Sequence, residues 1–225
     1  MGVNGGRTDR SLLVRVENRH FHVTHPSKVS SAHHSRHTGH SAVFAIERTV
    51  TVNDPNWKLP EVPTFALESP DFEEGGTLPQ WARSGIANAG GEDRSPTLHW
   101  HGFPSGTKSF ALTVFDPDAP TGSGWWHWAV YNIPASVESL PQDAGTPDAQ
   151  LMPHGAITLP NELRLTSFQG AAPPADHGPH RYVFTVSALN VERLDVPEGS
   201  TPAMLGFALR DFIVARAQLI GVSST

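Results

Sequence analysis

The stretch from Phe110 to Tyr131, FALTVFDPDAPTGSGWWHWAVY, constrains the fold more than any other part of the chain. Ser109 to Phe115 is apolar or small on both faces: Phe110, Leu112 and Val114 on one, Ala111, Thr113 and Phe115 on the other. A strand of that kind needs cover on both sides. Asp116-Pro117-Asp118-Ala119-Pro120 ends it abruptly, because neither proline can donate to a ladder and both stiffen the exit. Trp125 to Ile133 reads as the next strand, again apolar on both faces, and Pro134 stops it.

The flanking sequence supplies further strands and one helix. VPTFALES, Val62 to Ser69, alternates as a first strand, with Phe65 and Leu67 on its apolar side. EEGGTLP and IANAGGEDRSP read as loops. A short strand is expected around Leu98 to Trp100, followed by a turn at Pro104 to Gly106. Ala135 to Leu140 is expected to form one helical turn, and the residues that follow, up to Glu162, a long loop. Arg181 to Leu189 reads as a long strand. Ser200 or Thr201 is a helix cap with Pro202 at the first helical position, where its missing N–H is tolerated. Leu205, Ala208, Leu209, Phe212 and Ile213 keep a helical period, which predicts a helix to about Ala217 and a short closing strand at LIGVSS. The expected fold is mainly β: an antiparallel β-sandwich with a peripheral C-terminal helix.

Charge divides the chain near residue 50. Residues 1–50 hold seven Lys/Arg, three Asp/Glu and seven of the thirteen histidines, whereas residues 51–225 hold nine Lys/Arg and nineteen Asp/Glu. The first part is expected to be a His-rich disordered extension and the second, 51–225, the folded domain. A metal-binding tract and a targeting peptide are the other readings of HPSKVSSAHHSRHTGH. The formal net charge of -6 disfavours generic nucleic-acid binding. With no cysteine there is no disulfide framework and no thiol nucleophile. No apolar run approaches the roughly 18 residues of a spanning helix, no secretory signal core is visible, and a cytoplasmic protein is expected.

The ionisable residues gather at strand ends. Asp116 and Asp118 stand one residue apart at the exit of the first both-faced strand. His127 lies between Trp126 and Trp128 in the next. His180 opens the later strand after a Pro/Gly loop, with Tyr182 on the same face and Arg181 on the other. Taken singly, each has an ordinary structural role: the aspartates cap turns, the histidine bonds within the core, and Arg181 makes an ion pair that holds the sheet or loop. Together they outline an anion pocket. Imidazoles and a phenol donate to the anion, carboxylates behind the imidazoles fix their tautomers, and Trp and Phe wall the site. Because ionised aspartates repel anions, the aspartates must orient donors or one must hold a proton. His99 and His101, two apart on a strand, read as surface positions rather than metal ligands. No G-x-S-x-G nucleophile, H-E-x-x-H metal pair, dinucleotide loop or phosphate loop is present, so neither an enzyme nor a cofactor or metal is expected.

DPDAPTGSGWWHWAVYNIP and APPADHGPHRY together resemble the two signature regions of the phosphatidylethanolamine-binding protein family, most closely its bacterial Raf-kinase-inhibitor-like branch. The resemblance runs from about Val62 to Val222. It implies an antiparallel β-sandwich with a small surface anion pocket. Asp116, Asp118, His127, Pro173, Pro174, His180 and Tyr182 match the family's pocket residues, and Arg181 matches the arginine of its His-Arg-Tyr. Ala172 departs from the Gly that many members carry there, which bears on the pocket rim and on backbone donation to the anion. The implied ligand is phosphate or a phospho-headgroup, including that of a phospholipid. The alternatives are a regulator that binds a kinase or inhibits a protease, and a hydrolase using the Asp/His pocket. A homodimer through the sandwich edge is compatible with each.

Overall fold

The structure, a computed structural model, describes residues 59–224. The expected extension at residues 1–50, with its His-rich tract, lies outside the described residues.

Two sheets face each other. The smaller is three-stranded, with β1 (Ala66–Glu68), β3 (Leu98–His101) and β6 (Ser139–Leu140) in the order β1-β3-β6. The larger is six-stranded, ordered β2-β9-β8-β4-β5-β7, from β2 (Gly76–Thr77), β9 (Ile213–Ser223), β8 (His180–Leu189), β4 (Ser109–Asp116), β5 (Trp125–Pro134) and β7 (Ile157–Thr158). The alternation of each strand sorts its residues between two cores. Leu67, Leu98, Trp100 and Leu140 of the small sheet meet Phe110, Leu112, Val114, Trp128 and Phe184 of the large one. On the other face of the large sheet, Ala111, Ala129, Tyr131 and Leu189 pack under Leu205 and Leu209 of helix α1 (Pro202–Leu209). This second cover is why β4 and β5 are apolar on both faces. At about 25 cal/mol per Å² of buried apolar surface, the large side chains of these clusters dominate the fold's stabilisation.

Four local expectations are corrected. The large sheet is mixed rather than strictly antiparallel: β2, inside the EEGGTLP loop, runs parallel to β9. The Gly75 amide donates to the Ile220 carbonyl and the Leu78 amide to that of Val222, both at 2.8 Å. Gly221 makes room for this, since a Cβ there would stand 2.4 Å from Leu78 Cδ2. The C-terminal helix stops at Leu209, and the residues from Ile213 form an eleven-residue strand instead. That segment also satisfies a two-residue period, with Ala215, Ala217 and Leu219 buried, and the open edge of β8 pairs with it from His180↔Ser223 to Leu189↔Ile213. The expected helical turn after Pro134 is a tight turn, with the Val137 amide donating to the Pro134 carbonyl, and then β6. The long loop that follows contains a 3-10 turn at Pro147–Ala149 and strand β7. The cap itself stands as expected: the Thr201 hydroxyl accepts from the Met204 amide at 3.2 Å. Among the described residues, no helix is long and apolar enough to cross a membrane.

Candidate functional site

Strand order places the chemistry. β4 lies between β5 and β8 and is antiparallel to both, so its C-terminal end meets the starts of the other two. Asp116 pairs with Trp125 and Phe115 with Val183 in the ladders. Asp116, His127, His180 and Tyr182 thereby converge at one end of the large sheet. A neighbouring wall comes from the coil at 169–172, which bridges to Arg83 through Ala171. Asp93 pins that wall: its Oδ1 accepts from the Gly170 amide at 2.8 Å, and its Oδ2 from the Gly85 and Ile86 amides at 2.8 and 2.9 Å.

These segments enclose a pocket of about 390 Å³. Asp116, His127, His180 and Tyr182 form its polar floor, with Gln169, while Ile86, Pro120, Trp125, Leu163 and Pro174 give it apolar sides. Two expected members are absent from this lining. Asp118 turns instead to Arg181, accepting from its backbone amide at 2.9 Å, its Nε at 2.8 Å and its Nη2 at 2.7 Å. Its carboxyl is held below its ordinary value, chiefly by the side-chain bonds from Arg181. Pro173 is buried, and of the paired prolines Pro174 lines the pocket. Arg181 makes the ion pair expected of a residue on the opposite strand face.

Asp116 is an orienting group. Its Oδ1 accepts from the Asp118 amide at 2.8 Å and its Oδ2 faces His180 Nδ1 at 2.7 Å. A carboxylate can only accept, so Nδ1 of His180 carries hydrogen. The other nitrogen, Nε2, lies 2.7 Å from Nδ1 of the exposed His177. His127 is fixed differently. Its Nδ1 lies 2.9 Å from the Gln169 carbonyl oxygen, which again requires a hydrogen on Nδ1. Burial, more than any other influence, pushes this imidazole below its ordinary value of 6.5. His127 is therefore neutral near pH 7, and its Nε2 is an acceptor.

Tyr182 is only 2% exposed, and its hydroxyl has no hydrogen-bond partner. Burial first, and the Asp116 charge second, raise the phenol well above its ordinary value of 10. The Ala172 main chain tempers that rise without reaching hydrogen-bond geometry. The hydroxyl is thus a donor at every working pH. An orphaned buried hydroxyl costs roughly 1–3 kcal/mol unless something arrives to bond it.

Sequence reasoning missed Gln169. It sits in coil, 4% exposed, within the pocket lining. The Trp125 indole N–H donates to its Oε1 at 2.8 Å. The signal available was faint: one polar side chain shortly before the Ala-Ala-Pro-Pro run. Among the described residues, no Lys or Arg lines the pocket and no cluster of three or more His, Asp or Glu could hold a metal ion. The arrangement is suited to hydrogen-bonding a small polar group between apolar sides.

Comparison with known proteins covers most of this domain. The sequence profile described as "Phosphatidylethanolamine-binding protein" matches residues 68–224. The UPF0098 protein YbhB of Escherichia coli is 44% identical over 158 residues, 70% of this chain and 99% of YbhB. The related UPF0098 protein YbcL of Escherichia coli is 49% identical over 139 residues, 62% of this chain and 75% of YbcL. The crystal structure of YbcL superposes with a TM-score of 0.69 at 43% identity, covering 72% of this chain and 98% of that one. The homologue CT736 of Chlamydia trachomatis superposes with a TM-score of 0.61 at 31% identity, covering 72% and 98%.

Proposed function

The chain belongs to the phosphatidylethanolamine-binding protein family, and from that premise we propose that it binds small oxyanions: phosphate, or the phosphate of a phospho-headgroup. The observation that carries this reading is the orphaned hydroxyl of Tyr182, a buried residue of the pocket lining whose ring packs against that of His127. A phosphate oxygen would give it the acceptor it lacks. The buried carboxylate does not oppose this role. Both Asp116 oxygens already accept hydrogen bonds, and one of them orients His180. The apolar sides suit the organic part of a headgroup, and the family's name points to a phospholipid source.

The test is a titration with inorganic phosphate and with phosphoethanolamine, followed by tryptophan fluorescence, since Trp125 lines the pocket. A saturable change that is lost in both Tyr182→Phe and His180→Ala supports the reading. No change at millimolar ligand would reject it and give first place to a protein-binding role.

A further inference from the structure

Gln169 is an uncharged residue in a place where its two ends are not equivalent. The Trp125 indole N–H has no acceptor capacity, so the atom facing it at 2.8 Å is the carbonyl oxygen of the Gln169 amide. The NH2 group therefore occupies the other position, and among the described residues no acceptor takes its hydrogens. The side chain is nonetheless 4% exposed and belongs to the pocket lining. Its backbone is equally fixed. The Gln169 amide donates to the His127 carbonyl and the Gln169 carbonyl accepts from the His127 ring, both at 2.9 Å. A rigidly mounted donor on the pocket lining that no protein acceptor takes is available to an acceptor supplied from outside.

We propose that Gln169 is a ligand-binding and specificity-determining residue of this pocket, its amide NH2 donating to an oxyanion while Trp125 acts as the positioning residue that keeps the donor end inward. This rests on the oxyanion reading above and extends it. Tyr182 and Gln169 together give the floor neutral donors in a pocket whose lining contains no Lys or Arg. These two donors suit a compact group with several acceptor oxygens, phosphate or phosphonate. In a zwitterionic headgroup the phosphate would then face Gln169 and Tyr182.

The substitution that reads this out is Gln169→Glu, which keeps the side-chain shape and the acceptor for Trp125 but replaces the donors with a second carboxylate. Calorimetric titration of the full chain with inorganic phosphate is expected to give affinity at least about tenfold weaker at pH 7.5 than in the unmodified protein. The ratio between the two should shrink as the pH is lowered to 5 and the new carboxyl gains a proton. Trp125→Phe, which leaves Gln169 in place but frees its orientation, should weaken binding by a smaller factor. Wild-type affinity in Gln169→Glu at pH 7.5 overturns the inference while leaving the oxyanion reading intact. Absence of phosphate binding in the unmodified protein overturns both. Should either variant fail to fold, the side-chain NH2 resonances of Gln169 in the unmodified protein decide the matter. They move on phosphate titration if the inference holds, and stay still if it does not.

Discussion

Nδ1 of His180 and Oδ2 of Asp116 stand 2.7 Å apart, with side chains 2% and 5% exposed. A pair this deeply buried holds its geometry because each partner is costly to leave alone. Asp116→Ala is therefore expected to destabilise the domain by about 3 kcal/mol and to weaken phosphate binding by at least tenfold. His177 touches the same imidazole from the solvent side, at 2.7 Å through Nε2. His177→Ala should change stability by no more than about 0.5 kcal/mol. Denaturant unfolding with parallel phosphate titrations checks both. Equal losses in the two variants would show that the buried pair is not what holds His180.

The Asp118–Arg181 pair joins the exit of β4 to the start of β8, and it gives stability a definite pH dependence. Its carboxyl is lowered from an ordinary value of 3.8. Above that value the carboxylate is ionised in the folded and unfolded chain alike, and the full contribution is present. As pH falls below it, the unfolded chain takes up the proton first, and the contribution disappears once the folded group is protonated too. With side chains 26% and 30% exposed, solvent screens the pair. Asp118→Asn should cost about 1 kcal/mol at pH 7 and progressively less below pH 3.8. Unfolding curves of the two proteins between pH 7 and pH 2.5 test this. A gap that stays constant across that range would mean the charge on Asp118 is not the source of the effect. Phosphate affinity should stay within about threefold, because the carboxylate is turned away from the pocket.

Much of this was legible because it rests on local pattern. β4 and β5 announce themselves by being apolar on both faces, and the cap at Thr201 with Pro202 marks the start of α1. The residues at strand ends, Asp116, His127, His180 and Tyr182, could be placed because strand ends bounded by proline are readable. What could not be read depends on distant partners. The run after Leu209 fits helix and strand periods alike, and only the free edge of β8 chooses between them. β2 and β7 are two residues long and carry no period. Asp118 leaves the pocket because of an arginine 63 positions away, and Gln169 enters it because of an indole 44 positions away.

The wall that carries Gln169 depends on a backbone approach that only glycine allows. A Cβ on Gly170 would stand 2.3 Å from the Arg83 carbonyl carbon, 2.4 Å from its oxygen and 2.6 Å from the Ser84 nitrogen. These are main-chain atoms that no rotamer change can move aside. Gly170→Ala must push the 169–172 coil away from Arg83, straining the Ala171 amide bond to the Ala82 carbonyl and the Gly170 amide bond to Asp93. The expected cost is about 2 kcal/mol, together with a loss of phosphate affinity as Gln169 and Ala172 shift out of register with Tyr182. Gly106→Ala is the control, since a Cβ there meets nothing within 4 Å, and it should leave both quantities unchanged. Denaturant unfolding and phosphate titration of the two variants separate the outcomes. If Gly170→Ala is destabilised but binds phosphate like the unmodified protein, the wall supports the fold without shaping the pocket.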